Sequence, residues 1–286
     1  MTELALALVL ASAVAHASWN LIAKRASGGP VFNWLFDTFS VLVCLPLLAL
    51  QVLLQPPRLG PTEWLFIVGS AVLHLAYFLL LGAGYRVGDL SLVYPLARGA
   101  GPMISTAAAI ILLGERPTPL ALVGAAMIGL GVIVLTGSPR QLRNGKNGTS
   151  IAFALLTGVV IAGYTLWDKE AVTTVAMPPV LYFCLFTAVR AGLLSTYALT
   201  RLRTIAQEWK AHRMHALGIA ILSPASYILV LYALSMSPVS YVAPAREISI
   251  VFGVLLGANM LKESDGKRRM IAALIMLAGI TLLALG

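Results

Sequence analysis

The sequence predicts an all-α membrane protein in which ten transmembrane helices form two inverted five-helix repeats around a central cavity. Three observations predict it. Hydrophobic residues make up 59% of the 286 and charged residues only 11%, a balance that no soluble core requires and that leaves no room for a folded soluble domain. The apolar residues fall into ten runs, each close to the roughly 20 residues that cross a bilayer as a helix. The longest polar connection, starting at Ser138 and including Arg140, Arg143 and Lys146, divides the runs five and five. Halves with an odd number of crossings enter the membrane from opposite faces, which makes them inverted repeats.

The runs are taken in order. The first, 4–22, follows Met1-Thr2-Glu3 without the basic flank or cleavage site of a signal peptide, so it is expected to persist as a helix. Runs 32–54 and 64–85 follow. The fourth, 90–113, contains Tyr94-Pro95-Leu96-Ala97-Arg98-Gly99-Ala100-Gly101-Pro102, which puts a guanidinium about eight residues into a span, roughly 12 Å deep at 1.5 Å per residue. The fifth is 118–136. Residues 1–137 form the first repeat, 138–149 a cytoplasmic linker and 150–286 the second repeat. Asn147-Gly148-Thr149 matches an N-glycosylation pattern but lies on the expected cytoplasmic side, and it reads as linker. The second set of runs is 150–167, 179–199, 215–234, 239–261 and 268–285.

Orientation follows from the basic residues, because cytoplasmic loops retain Lys and Arg. The loops after runs 1, 3, 5, 7 and 9 hold fourteen of them, while the opposite side holds Arg58, Arg116 and Lys169. Both termini are therefore expected outside the cytoplasm, in a bacterium on the periplasmic side. The net charge of +9 has the same origin, and nucleic acid is not an expected partner.

The two halves echo one another. Aligning 94–136 with 242–284 gives seven identities in 43, including Arg98 with Arg246 and Glu115 with Glu263. Two rare charges at one spacing carry the repeat better than shared apolar letters do. Lys24 and Lys169, and Tyr77 and Tyr227, extend it. In the alignment Gly99 stands opposite Glu247, so only the second half carries that acid.

The proline-rich start of the fourth helix (Tyr94, Pro95), the Gly114-Glu115 step, Gly124, Gly129 and Gly131, and their echoes Pro244, Glu263 and Gly279 resemble the EamA type of the drug/metabolite transporter superfamily. The resemblance covers nearly the whole chain. It implies a bacterial inner-membrane secondary transporter, often an exporter of amino acids or other small metabolites, with some relatives handling quaternary cations or nucleotide sugars. One departure bears on mechanism. Small four-helix multidrug relatives place an essential glutamate in their first helix, where this chain has only Glu3 at the end and His16 inside. Proton/drug antiport is therefore not carried over, and the driving force stays open.

Residues three and four apart share a helix face. His16, Trp19 and Asn20 form one stripe, Tyr164, Thr165 and Asp168 another; Ser70, His74 and Tyr77 a third, Ser91, Tyr94 and Arg98 a fourth, and Ser223 with Tyr227 a fifth. Arg246, Glu247 and Ser249 add a sixth. A central cavity gives these stripes a common place to point. The candidate substrate-binding set is His16, Trp19, Asn20, His74, Tyr77, Tyr94, Arg98, Tyr164, Tyr227, Arg246 and Glu247. Pro95 and Pro244 remove backbone donors beside each arginine, so local unwinding is expected there. Against these stand structural readings. Trp19, Trp167 and Tyr85 also suit interfacial anchoring. Asp168 and Lys169 fall at a span end and are expected to be solvated. Glu115 and Glu263 are expected to tie down helix ends, Asp37 and Arg190 to pair with buried groups, and Cys44 and Cys184 to be small core residues.

An arginine fork suits a carboxylate, and aromatic faces attract an ammonium, so a zwitterionic amino acid uses both. The expected function is export of amino acids with broad specificity by alternating access, with cationic drugs or other metabolites as the alternative cargo and a channel or scramblase as the alternative class. No zinc-protease helix, nucleophile elbow or phosphate loop occurs, so an enzyme is not expected. No cofactor or metal is expected. The partners expected are a small-molecule substrate and the lipid bilayer, with the chain acting as a monomer.

Overall fold

The structure is a computed structural model that describes residues 1–26, 29–87, 90–136, 148–252 and 266–286, with the backbone alone for residues 24, 90–92, 94, 95, 135, 136, 266, 267 and 269. The linker core 138–147, Glu263, Lys262 and Gly253 lie outside the described residues. Regular structure among the described residues is helical. The helices are α1 (Glu3–Ala26), α2 (Pro30–Leu54), α3 (Pro61–Val87), α4 (Leu90–Leu112), α5 (Pro119–Thr136), α6 (Gly148–Thr173), α7 (Pro179–Ala198), α8 (Leu202–Met236), α9 (Val239–Ala245) and α10 (Gly266–Leu285). Proline opens α2, α3, α5 and α7, where its missing N–H costs no intrahelical bond.

Five segments are long and apolar enough to cross a membrane, and one of these, Pro179–Met236, holds both α7 and α8; Leu96–Leu112, Pro119–Val134 and Met270–Leu285 are shorter apolar helices. The surface is of the same character. Leu42, Leu53, Ile111, Leu112, Ile133 and Leu274 are all exposed, and such a coat is solvated by lipid tails rather than by water. This is a multi-pass membrane protein. The ninth predicted run, 239–261, is described only to residue 252.

Two helices depart from the sequence expectation. α6 continues six residues beyond the expected end at 167, because Asp168 and Lys169 find partners inside the protein instead of stopping the helix. α8 begins before the expected 215, and its backbone leaves helical geometry at His212 (φ −131°, ψ 17°). The polar stretch 202–211 thus precedes the apolar body at a kink.

The packing order follows the repeat. α1 pairs with α8 as α6 pairs with α3, α2 touches α8 as α7 touches α3, and α2–α7, α4–α9 and α5–α10 pair with their own counterparts. Exchanging each helix for the one five places away returns these pairings, while α4–α6, packed far more closely than its image α1–α9, marks where the halves differ. The crossing of α5 and α10 carries this to single residues. A Cβ on Gly279 would lie 2.7 Å from the Gly124 carbonyl oxygen, and one on Gly131 would lie 3.0 Å from that of Ala272. These contacts are images of one another at the 148-residue offset, and only small residues permit so close an approach.

The turn between α8 and α9 is braced by charges. Both oxygens of Glu115 accept the N–H groups of Val239 and Ser240, at 2.7 and 2.8 Å, and Lys169 Nζ donates to the carbonyls of Leu234 and Ser237, at 2.6 and 3.1 Å. An acid at a helix start and a base at a helix end both complement the helix dipole. Glu115 thus ties down a helix end as expected.

Candidate functional site

A cavity of about 60 Å³ lies among α1, α3, α4, α6, α7, α8 and α9. His16, Trp19, His74, Tyr77, Tyr164 and Tyr227 line it together with Arg98 and Arg246. Eight of the eleven candidates from the sequence therefore meet in one place. Asn20 does not, since its Nδ2 donates to the His16 carbonyl at 2.8 Å, one turn back along its own helix. Glu247 stands behind the wall, where it holds Arg98. The side chain of Tyr94 is outside the described residues.

The two arginines of the repeat have different surroundings. Arg98 is 4% exposed and its guanidinium sits 3.2 Å from Glu247 and 3.4 Å from Ser249 Oγ. Among the described residues Arg246 makes no ion pair; its guanidinium lies 5.4 Å from the centroid of the Tyr227 ring. The reason is visible in the alignment. The position equivalent to Glu247 is Gly99, so the first repeat supplies no acid in return.

The backbone differs as well. α4 runs unbroken from Leu90 to Leu112 through Pro95 and Arg98, whereas α9 stops at Ala245, turns at Arg246-Glu247 and resumes over 248–252. Around the turn, Glu247 N–H bonds the Pro244 carbonyl at 3.0 Å and Ile250 N–H bonds that of Glu247 at 2.9 Å, three residues back instead of four. The expected unwinding is thus found in the second copy only, and it lets the adjacent side chains of Arg246 and Glu247 serve different partners.

A second buried group was expected to be solvated and is not. Asp168 is fully buried. Its Oδ1 accepts from Ser70 Oγ and the Tyr182 hydroxyl at 2.7 Å each, and its Oδ2 from the Tyr227 hydroxyl at 2.5 Å and His74 Nε2 at 3.1 Å. Four donors replace the water that a carboxylate at a helix end would otherwise need. Trp167 is half-buried and donates to the Phe66 carbonyl at 2.9 Å, and Trp19 is a cavity wall.

Asp37 and Arg190, each expected to pair with a buried group, pair with one another, bidentately at 2.5 and 2.8 Å between α2 and α7. Arg190 also lines the cavity, with its guanidinium 5.2 Å from the centroid of Phe78. The remaining wall residues are Phe78, Phe183, Phe186, Ser223 and Ser226. Sequence reasoning missed the α7 contribution. Phe183, Phe186 and Arg190 share a face by their spacing of three and four, and Tyr182 lies four residues before Phe186; that stripe was the available signal. Cys44 and Cys184 are both buried and unbridged, small core residues as expected.

The family model described as "EamA-like transporter family" matches residues 3–137 and 148–285. The chain belongs to the EamA-like transporter family. This EamA-like protein is accordingly a membrane transporter of the drug/metabolite type, and the matched stretches run through both sets of helices that build the cavity. A crystal structure described as "Crystal structure of protein" superposes with a TM-score of 0.74 at 18% identity, over 100% of this chain and 98% of that one, a likeness of fold alone. Comparison with curated proteins gives no match.

Proposed function

We propose that this EamA-like transporter exports amino acids of varied side chain across the bacterial inner membrane by alternating access. The observation that carries the reading is Arg246, a cavity-lining guanidinium that makes no ion pair among the described residues. A substrate carboxylate is the planar partner a guanidinium takes bidentately. The rings of Tyr227, Tyr164, Tyr77 and Trp19 supply apolar area and faces for an ammonium. The charged residues lining the cavity are arginines, which counts against cationic drugs as cargo.

In this reading ten spans form two inverted repeats, 1–137 and 150–286, joined by a cytoplasmic linker at 138–149, with both termini in the periplasm and a monomer as the working unit. The cavity of about 60 Å³ is far below the roughly 300 Å³ of a small-molecule pocket, so substrate enters only when the repeats rock apart. The close α5–α10 crossing is the natural pivot. Counterflow in proteoliposomes across a panel of amino acids tests the proposal. Saturable exchange of several amino acids is expected; exchange of none of them, together with movement of a cationic drug, would reverse it.

A further inference from the structure

His74 and Asp168 form a titratable pair that carboxylate recognition by Arg246 does not use. The Asp168 oxygens are filled by four donors. Three hydroxyls and an imidazole nitrogen around one carboxyl suit its ionised form, which only accepts. With the His74 hydrogen placed on Nε2 toward Asp168, Nδ1 is the atom at which a further proton binds. The imidazole lines the cavity and is stacked between Tyr164, 4.2 Å away at 24°, and Phe186, 5.0 Å away at 9°. Ring faces on both sides favour a cation there.

We propose that His74, held by Asp168, is a proton-binding site that opens the cavity to a second substrate class, monocarboxylates without an amino group. The reason is charge balance. Arg98 is matched by Glu247 and Arg190 by Asp37. Arg246 and Asp168 remain, joined through Tyr227, whose ring lies under the guanidinium and whose hydroxyl donates to the carboxylate. A carboxylate docking on Arg246 takes that counter-charge from Asp168, and an uncompensated buried carboxylate is costly. An amino acid brings its own ammonium. A carboxylate without one leaves a deficit of one positive charge, which a proton from the medium fills at Nδ1, setting an imidazolium against Asp168. The anion and proton then bind together as a net-neutral acid.

The groups facing the pair support this assignment. On α6 itself Tyr164 stacks on the imidazole, and Lys169 is engaged by the carbonyls of Leu234 and Ser237. α7 presents Tyr182 and the neutralised Arg190, α8 presents Tyr227, and α9 presents Arg246. His16 of α1 and Arg98 of α4 line the same cavity. Of these charges only that of Arg246 is changed by a docking carboxylate.

The inference rests on the carboxylate site proposed at Arg246, and calorimetry separates the two. Full-length transporter in detergent is titrated with L-phenylalanine and with 3-phenylpropionate in buffers of different ionisation enthalpy. About one proton is expected to be taken up per 3-phenylpropionate and none per phenylalanine, with His74→Gln abolishing the uptake and weakening 3-phenylpropionate roughly tenfold. Equal proton counts for both ligands, or uptake retained in His74→Gln, would overturn it, and the wild-type counts decide alone if the variant does not fold. Binding of 3-phenylpropionate with a proton but not of phenylalanine keeps this inference and removes the amino-acid reading. Binding of phenylalanine alone removes this inference only, and binding of neither overturns both.

Discussion

Arg98 and Arg246 stand at matching positions 148 residues apart, and their surroundings give them unlike tasks. Removing Arg98 leaves Glu247 buried without a counter-charge, a loss of about 3–5 kcal/mol. Arg98→Ala is therefore expected to lower the yield of monodisperse protein and its melting temperature. Arg246→Ala breaks no ion pair among the described residues, and Asp168 keeps its four hydrogen-bond partners, with His74 able to take up a proton against it. This variant is expected to melt near the wild type while transport falls roughly 10- to 100-fold, the worth of about 1.5–3 kcal/mol in a hydrogen bond to a charged group. Equal melting temperatures and equal transport defects in the two variants would show that the asymmetry has no consequence. The site was legible in the sequence to the extent that its residues repeat or recur at helical spacing, as the two arginines and the His16, His74 and Tyr164 stripes do. Asp168 was not, because a carboxylate at a span end reads as solvated until its four donors, which come from three other helices, are seen together.

Among the elements, α5 and α10 approach backbone to backbone at Gly124 and Gly279, beside the packed side chains of Ile128, Val132, Met276 and Ile280. Gly124→Leu is expected to drive the helices apart, since its Cβ alone would lie 2.5 Å from the Gly279 carbonyl oxygen, and overpacking of this kind costs about 1–3 kcal/mol. A thermal melt in detergent checks it, and an unchanged midpoint would mean the crossing is looser than described. The α8–α9 turn makes a second test. Glu115→Ala removes both acceptors from the start of α9 and is expected to cost about 0.5–2 kcal/mol, as loss of a helix cap does; Glu115→Gln, which keeps one acceptor, is expected to recover part of it. The apolar runs located most helices, but the ends of α6 and α8 were displaced. Run length measures what lipid accepts, whereas a helix continues wherever its polar groups find partners.

At the scale of the molecule, pairing of each helix with the counterpart of its partner turns a weak sequence repeat into a two-fold arrangement with a cavity between the halves. The presence of two repeats was legible from two charges shared at one spacing; which helices touch was not, because apolar faces are interchangeable in sequence. The proposed periplasmic placement of the termini has its own test. A reporter active only outside the cytoplasm, fused at Gly286, is expected to be active, and activity of a strictly cytoplasmic reporter at the same site would contradict the assigned topology. The central claim, that the cavity recognises a carboxylate through Arg246, is tested most directly by inhibition of L-phenylalanine counterflow in proteoliposomes. Unlabelled phenylalanine is predicted to compete in the wild type and its methyl ester, lacking the carboxylate, to compete at least tenfold more weakly, with the difference lost in Arg246→Ala. Equal competition by acid and ester in the wild type would contradict the account.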